Sequence, residues 1–191
     1  MGLELRAEHS EIVSADEVVV DERVRAKCIY PKCSHYGTNI NCPPHAPDLD
    51  FIRKLVANYQ YGIFFAVKAK SSDFAGPNFR KRAGKKNPAK IIFNTICAEI
   101  ESRSFYEGYY HSLAFGQGPC KTFWCSDQAC SALQDGQACR FSNKARSSME
   151  AVGIDAFAMV AREGWDIYPC GSRVDQNKIP HVLLVGLVFI I

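Results

Sequence analysis

In DLDFIRKLVANY, residues 48–59, apolar side chains fall at Phe51, Ile52, Leu55 and Val56 with polar residues between them. That three-and-four spacing predicts a one-sided helix, with Asp48 placed to cap it. The period then changes. YGIFFAVKAK, residues 61–70, is β-branched and aromatic and reads as a strand over about 61–68. Asn87-Pro88 opens a second helix, a cap followed by proline at the first helical position. Within it Ile92, Phe93, Ile96, Cys97 and Ile100 recur at helical spacing, which carries the helix from 88 to about 105. A further strand is predicted over 108–115 in EGYYHSLAF, and a last one over 181–190 in HVLLVGLVFII.

The remaining stretches are weaker in pattern. Val18-Val19-Val20 suggests a short strand, followed by a turn of helix leading into Cys28. Residues 147–152 and 155–162 read as two short helices broken at Gly153. Strand, long crossover helix, strand is the order expected for parallel pairing of 61–68 with 108–115. Together these elements predict one domain over residues 1–191. Its class is α/β, with α+β as the alternative: a central mixed sheet flanked by helices, and two cysteine-rich loops at 28–47 and 116–141.

Length and charge narrow the function. A chain of 191 residues buries a real core, and a net charge of +3 is too small to call for nucleic acid or an acidic membrane as partner. The apolar carboxyl end runs for about ten residues, roughly half of a bilayer span. The amino-terminal stretch has acidic residues and no apolar core region, so no secretory signal is expected and the cytoplasm is the predicted location. A reducing compartment makes the nine cysteines candidates for metal ligation or catalysis before disulfides. Their odd number also fits poorly with a closed set of bridges.

In the second loop Cys120, Cys125, Cys130 and Cys139 are separated by four, four and eight residues. Soft thiolates select zinc, copper(I) or iron–sulfur clusters. Structural zinc favours tight ligand pairs, and no CxxC pair occurs anywhere in the chain. Wider spacing suits a four-cornered object such as an iron–sulfur cluster. Gly116, Gly118 and Gly136 would let backbone N–H groups approach cluster sulfurs. Zinc and redox thiols stay open as alternatives.

The first loop, CIYPKCSHYGTNINCPPHAP, offers only Cys28, Cys33 and Cys42. A fourth ligand could be Cys170, Cys97, His35, His45 or no protein group at all. Cys97 sits on the apolar face of its helix and reads as a small buried hydrophobe. Cys170 lies in a turn compatible with ligation, while the two histidines read as solvated or hydrogen-bonded loop residues. The basic run in FRKRAGKKNPAK reads as a solvated loop, with a docking surface for an acidic redox partner, or a phosphate site, as the functional alternative. Glu150 opens a helix, with no role fixed by its pattern.

KCIYPKCSHYGTNINCPPHAP, GPCKTFWCSDQACSALQDGQACR and ARSSMEAVGID resemble a cysteine-rich family of predicted metal-binding proteins, domain of unknown function 2284, over roughly residues 20–170. The resemblance implies metal binding and carries over to Cys28, Cys33, Cys42, Cys120, Cys125, Cys130 and Cys139. It carries over neither to Cys97 nor to Cys170. Where the family tends to place proline, after Cys-Arg and before Ser-Met-Glu, Ser142 and Ser147 stand here.

Three functions follow as expectations. The first is an accessory protein that holds one or two four-iron, four-sulfur clusters and passes single electrons to a redox partner protein. The second is an enzyme whose three-cysteine cluster at Cys28, Cys33 and Cys42 has an open iron serving as Lewis acid or sulfur carrier, beside Tyr36, His35 or His45. The third is a zinc-stabilised interaction module. Whether the chain is an enzyme is left open, and no oligomeric state is predicted.

Overall fold

The computed structural model describes residues 2, 7–77, 79 and 87–191, so the basic run between Arg80 and Lys86 lies outside the described residues. Four strands form one sheet: β1 (His9–Ser14), β2 (Tyr61–Ala69), β3 (Leu113–Phe115) and β4 (Val182–Phe189). Their order is β1-β2-β4-β3 and every ladder is antiparallel. Helices α1 (Glu22–Ile29), α2 (Leu49–Val56), α3 (Ser71–Phe74), α4 (Pro88–Tyr106), α5 (Cys120–Trp124) and α6 (Ala156–Arg162) surround it. The class is α/β with an α+β arrangement, a central sheet flanked by helices.

The expected parallel pairing of β2 with β3 does not occur. Each runs antiparallel to β4, so they do point the same way, as their long crossover requires, but β4 lies between them. The reason is burial. All eight residues of β4 are buried, and only a central position covers both faces of so apolar a strand. The strand predicted over 108–115 shrinks to Leu113–Phe115, because the chain leaves α4 through turns at residues 107–112. Val18–Val20 forms no strand: Val20 makes a single bridge to Ile154, and the first strand is β1.

Alternation along β2 and β4 divides the core into two layers. Phe64, Ala66, Leu183, Val185, Leu187 and Phe189 face α2 and α6, where they meet Ile52, Val56, Met159 and Val160. Phe65, Val67, Leu184 and Val188 face α3 and α4, where they meet Phe74, Phe93, Ile96, Cys97 and Ile100. The rings of Phe65 and Phe93 stack at 5.3 Å across this second layer. A Cβ on Gly186 would stand 2.9 Å from both rings, so only glycine lets the pair lie against β4.

The local signals read from the sequence hold where they are self-contained. The Asp48 carboxylate accepts from Phe51 N at 2.8 Å and caps α2, and Asn87 Oδ1 accepts from Lys90 N at 3.3 Å to cap α4. The segment after the second cysteine loop forms a 3-10 turn (Glu150–Val152) and then α6, separated at Gly153, which has φ +81°. α1 packs on that turn, with Asp21 N donating to Gly153 O at 2.8 Å. Glu101 of α4 ties the same segment to the sheet: its Oε1 accepts from Ala114 N on β3, and its Oε2 pairs with Arg146 at 2.6 Å. No helix among the described residues is long and apolar enough to cross a membrane.

Candidate metal centre

Both cysteine loops leave the ends of regular elements. Cys28 lies on the last turn of α1, and the chain then folds back through successive turns. Cys33 N donates to Cys28 O at 3.0 Å, Gly37 N to Pro43 O at 2.7 Å, and both His45 N and Ala46 N to Cys42 O. Arg25 of α1 donates to Pro47 O at 2.5 Å and to Ala46 O at 3.3 Å, pinning the loop's exit to the helix that begins it. The peptide bonds before Pro31 and Pro44 are cis.

The second loop starts with α5, whose first residue is Cys120 and whose cap is Cys125. Cys130 then precedes a short 3-10 turn (Ser131–Leu133). Ser131 Oγ donates to Ala138 O at 2.8 Å and Arg140 Nη1 to Ala129 O at 2.9 Å, which closes the loop on itself. Cys120, Cys125, Cys130 and Cys139 all line one small cavity of ≈ 10 Å³, together with Trp124 and Phe141. Three polar atoms around α5 are buried and have no hydrogen-bond partner among the described residues: Gln117 Oε1, Thr122 Oγ1 and Trp124 Nε1.

The two loops, far apart in sequence, touch at Cys120. Asn41 Nδ2 donates to Cys120 Sγ at 3.3 Å, and the Cys120 thiol points to Asn39 Oδ1 at 3.6 Å. Asn39 is fully buried, and its Oδ1 also accepts from Asn41 N at 3.1 Å. Ser147, from the segment beyond the second loop, donates to Asn41 Oδ1 at 3.3 Å. Two asparagines of the first loop are therefore the hinge on which both cysteine sets meet.

Electrostatics trace the same grouping. Burial pushes the Cys28 thiol up, and Cys33 and then Glu150 add to it. Burial also raises Cys42, with an opposing hydrogen bond to Asn39 and further contributions from Cys28 and Cys33. Cys120 is pushed up to about 12 by burial, against the Asn41 hydrogen bond, with Cys42, Cys125 and Cys130 adding their charges. Cys125 is raised by burial, then by Cys130 and Cys139. The seven cysteines thus form two sets that adjoin through Cys42 and Cys120. With Cys28, Cys42, Cys120 and Cys125 held toward the protonated thiol, a metal bound by them must displace protons to gain its thiolates.

The candidates for a fourth ligand separate clearly. Cys97 lies in the second core layer with its thiol pushed up to about 12 by burial, as a small hydrophobe would. His45 is exposed, and His35 is half-buried with burial, Lys90 and Lys121 all depressing its protonation. Cys170 is exposed as a residue, yet its thiol lies in the fields of Lys90 and Glu150. Glu150 is the group whose place no pattern foretold. Its carboxyl is raised by burial, and its own N–H and the Ser148 side chain hydrogen-bond to it; its charge reaches both Cys28 and Cys170.

No three His, Cys, Asp or Glu side chains among the described residues converge closely enough to hold a single metal ion. The second-loop sulfurs instead surround a space. A donor set of four soft thiols is of the kind that takes zinc, copper(I) or an iron–sulfur group.

A family model described as predicted metal-binding protein (DUF2284) matches residues 11–190, and the chain belongs to that family. No curated protein and no solved structure matches.

Proposed function

From that membership in a family of predicted metal-binding proteins, we propose that the chain holds a four-iron, four-sulfur cluster on Cys120, Cys125, Cys130 and Cys139 and carries single electrons to a redox partner protein. One observation carries the reading: four thiols from one loop line one cavity. A zinc ion takes its thiolates at ~2.3 Å from a single point, whereas a cluster spreads four of them over four corners. When bound, the cluster supplies a one-electron couple. The chain's own part is to hold the thiolates, to donate from Asn41 to Cys120 Sγ, and to cover the cavity with Trp124 and Phe141. Hydrogen bonds to ligand sulfurs and shielding from water are the levers by which a protein sets a cluster's potential.

A second reading concerns Cys28, Cys33 and Cys42. Three thiols, with the Glu150 carboxyl acting on Cys28 among them, form an incomplete thiolate shell, which favours a second cluster with one iron open to water or substrate. On that reading the chain is an enzyme, and Cys42→Ser abolishes turnover while the second-loop cluster persists.

The test is iron, zinc and acid-labile sulfide per chain on anaerobically purified protein, with its visible spectrum. About four irons and four sulfides support the electron carrier, and about eight of each add the three-cysteine centre. Zinc without sulfide would overturn both readings in favour of a zinc-stabilised module.

A further inference from the structure

Trp124 closes α5, one residue before Cys125, and its ring lines the cavity that the four second-loop cysteines share. The ring is held from outside. Phe141 stacks on it with centroids 6.1 Å apart and planes 29° apart, and Lys144 Nζ sits 5.5 Å from its centroid. Its one polar atom, Nε1, is buried without a hydrogen-bond partner among the described residues. Indole nitrogen donates only, and a buried donor without an acceptor is a costly arrangement that native proteins avoid. Among the side chains that line this cavity the acceptors are the four cysteine sulfurs and Ser131 Oγ, whose proton already goes to Ala138 O.

We propose that the Trp124 indole N–H donates a hydrogen bond to a sulfur, cysteinyl or inorganic, of the group held by Cys120, Cys125, Cys130 and Cys139, and thereby raises its reduction potential. The inference rests on the cluster reading given above. Reduction adds negative charge to the sulfurs, so a donor aimed at them strengthens its bond in the reduced state and favours it. Phe141 and Lys144 keep the ring in place, which makes Trp124 a tuning residue rather than a ligand. Thr122 Oγ1 and Gln117 Oε1 also lack partners among the described residues, but neither residue lines the cavity, and an amide oxygen has no proton to give.

Trp124→Phe keeps an aromatic ring for Phe141 and Lys144 and removes the N–H together with the second ring of the indole. The variant is expected to carry the same iron and sulfide per chain as the unaltered protein. Its reduction equilibrium is expected to fall about tenfold, ~59 mV more negative for a one-electron couple. Full loading with an unchanged potential overturns the inference and leaves the cluster reading intact; absence of iron and sulfide from the unaltered protein overturns the cluster reading itself.

A second measurement needs no variant. The chain has two tryptophans, and the other, Trp165, stacks on Phe64 and His9. Pulsed electron paramagnetic resonance of the reduced protein, grown with ¹⁵N-indole tryptophan, is expected to show one coupled nitrogen. No coupled indole nitrogen means no hydrogen bond, and the inference falls.

Discussion

The two cysteine loops use similar residues to build different objects. The second closes on itself through Ser131 and Arg140 and places all four of its thiols around one cavity. The first is held from outside, by Arg25 of α1 and by Asn39 and Asn41 reaching Cys120, and it offers three thiols, one of which, Cys28, lies within reach of the Glu150 charge. A self-contained loop with a full set of soft ligands suits a stable carrier. A loop braced by its neighbours, with an incomplete set, suits a site where something else can bind. The number of thiols matters less than what surrounds them.

The largest test of this contrast is to remove one thiol from each set. Cys130→Ser is expected to empty the second loop of iron and sulfide entirely, while Cys42→Ser leaves that content in place and lowers only what exceeds about four irons per chain. Iron and sulfide analysis of the two variants side by side decides it. Equal, complete loss in both would merge the loops into one centre and dissolve the comparison.

Next in size is the pH response of the metal-free protein, for which Cys97 is an internal reference outside both loops. Its folded-state thiol is pushed up to about 12 from an ordinary value of 9.0, with burial the main cause and the Glu101 carboxylate second. A raised folded value means the folded state holds the proton more tightly. The stabilisation is therefore complete below pH 9 and is lost as pH climbs toward 12, at about 1.4 kcal/mol per unit for one thiol. Urea midpoints are expected to stay flat up to pH 9 and to fall above it, with a shallower fall in Cys97→Ala. Metal loading runs the other way: thiols held protonated must ionise to bind, so uptake weakens as pH drops. An unaltered alkaline slope in Cys97→Ala would show that the loop thiols alone produce it.

How much of this was readable in the sequence depends on range. Asp48 and Asn87 announced their helices because a cap and the N–H it satisfies lie three residues apart. Cysteine spacing drew attention to the second loop because its four cysteines are local in sequence, and they do line one cavity. The sheet order was hidden: the insertion of β4 between β2 and β3 depends on which strand most needs both faces covered, a property of the whole core. Asn39, Asn41 and Glu150 were hidden for the same reason. Asn41 meets Cys120 across 79 residues and Ser147 across 106, and no pattern in TNIN marks those contacts. Trp124 carried no sign beyond its neighbour Cys125.

Asn39→Ala comes third. The substitution leaves Asn41 N and the Cys120 thiol facing a buried space without their shared acceptor. A loss of ~1–3 kcal/mol is expected from denaturant unfolding, the usual cost of orphaning buried polar groups. Because Asn39 touches both sets, metal content is expected to fall in both loops, unlike the one-sided effects of the cysteine variants.

The smallest effect sharpens the comparison most. Arg25→Ala removes two hydrogen bonds to carbonyls at the exit of the first loop and touches nothing of the second. The expected cost is ~1–2 kcal/mol, in the range for hydrogen bonds from a charged donor at a partly exposed site. Its readout is local. If the first loop depends on outside bracing, hydrogen exchange at Cys33, Tyr36 and Gly37, whose amides close its turns, speeds up while exchange at Cys125 and Gln128 stays unchanged. If amides in both loops speed up together, the bracing is shared, and the second loop is not the self-contained unit its own hydrogen bonds make it. The Asn39–Cys120 contact is the path by which such coupling would travel, so Arg25→Ala and Asn39→Ala combined would then cost no more than the larger of the two alone.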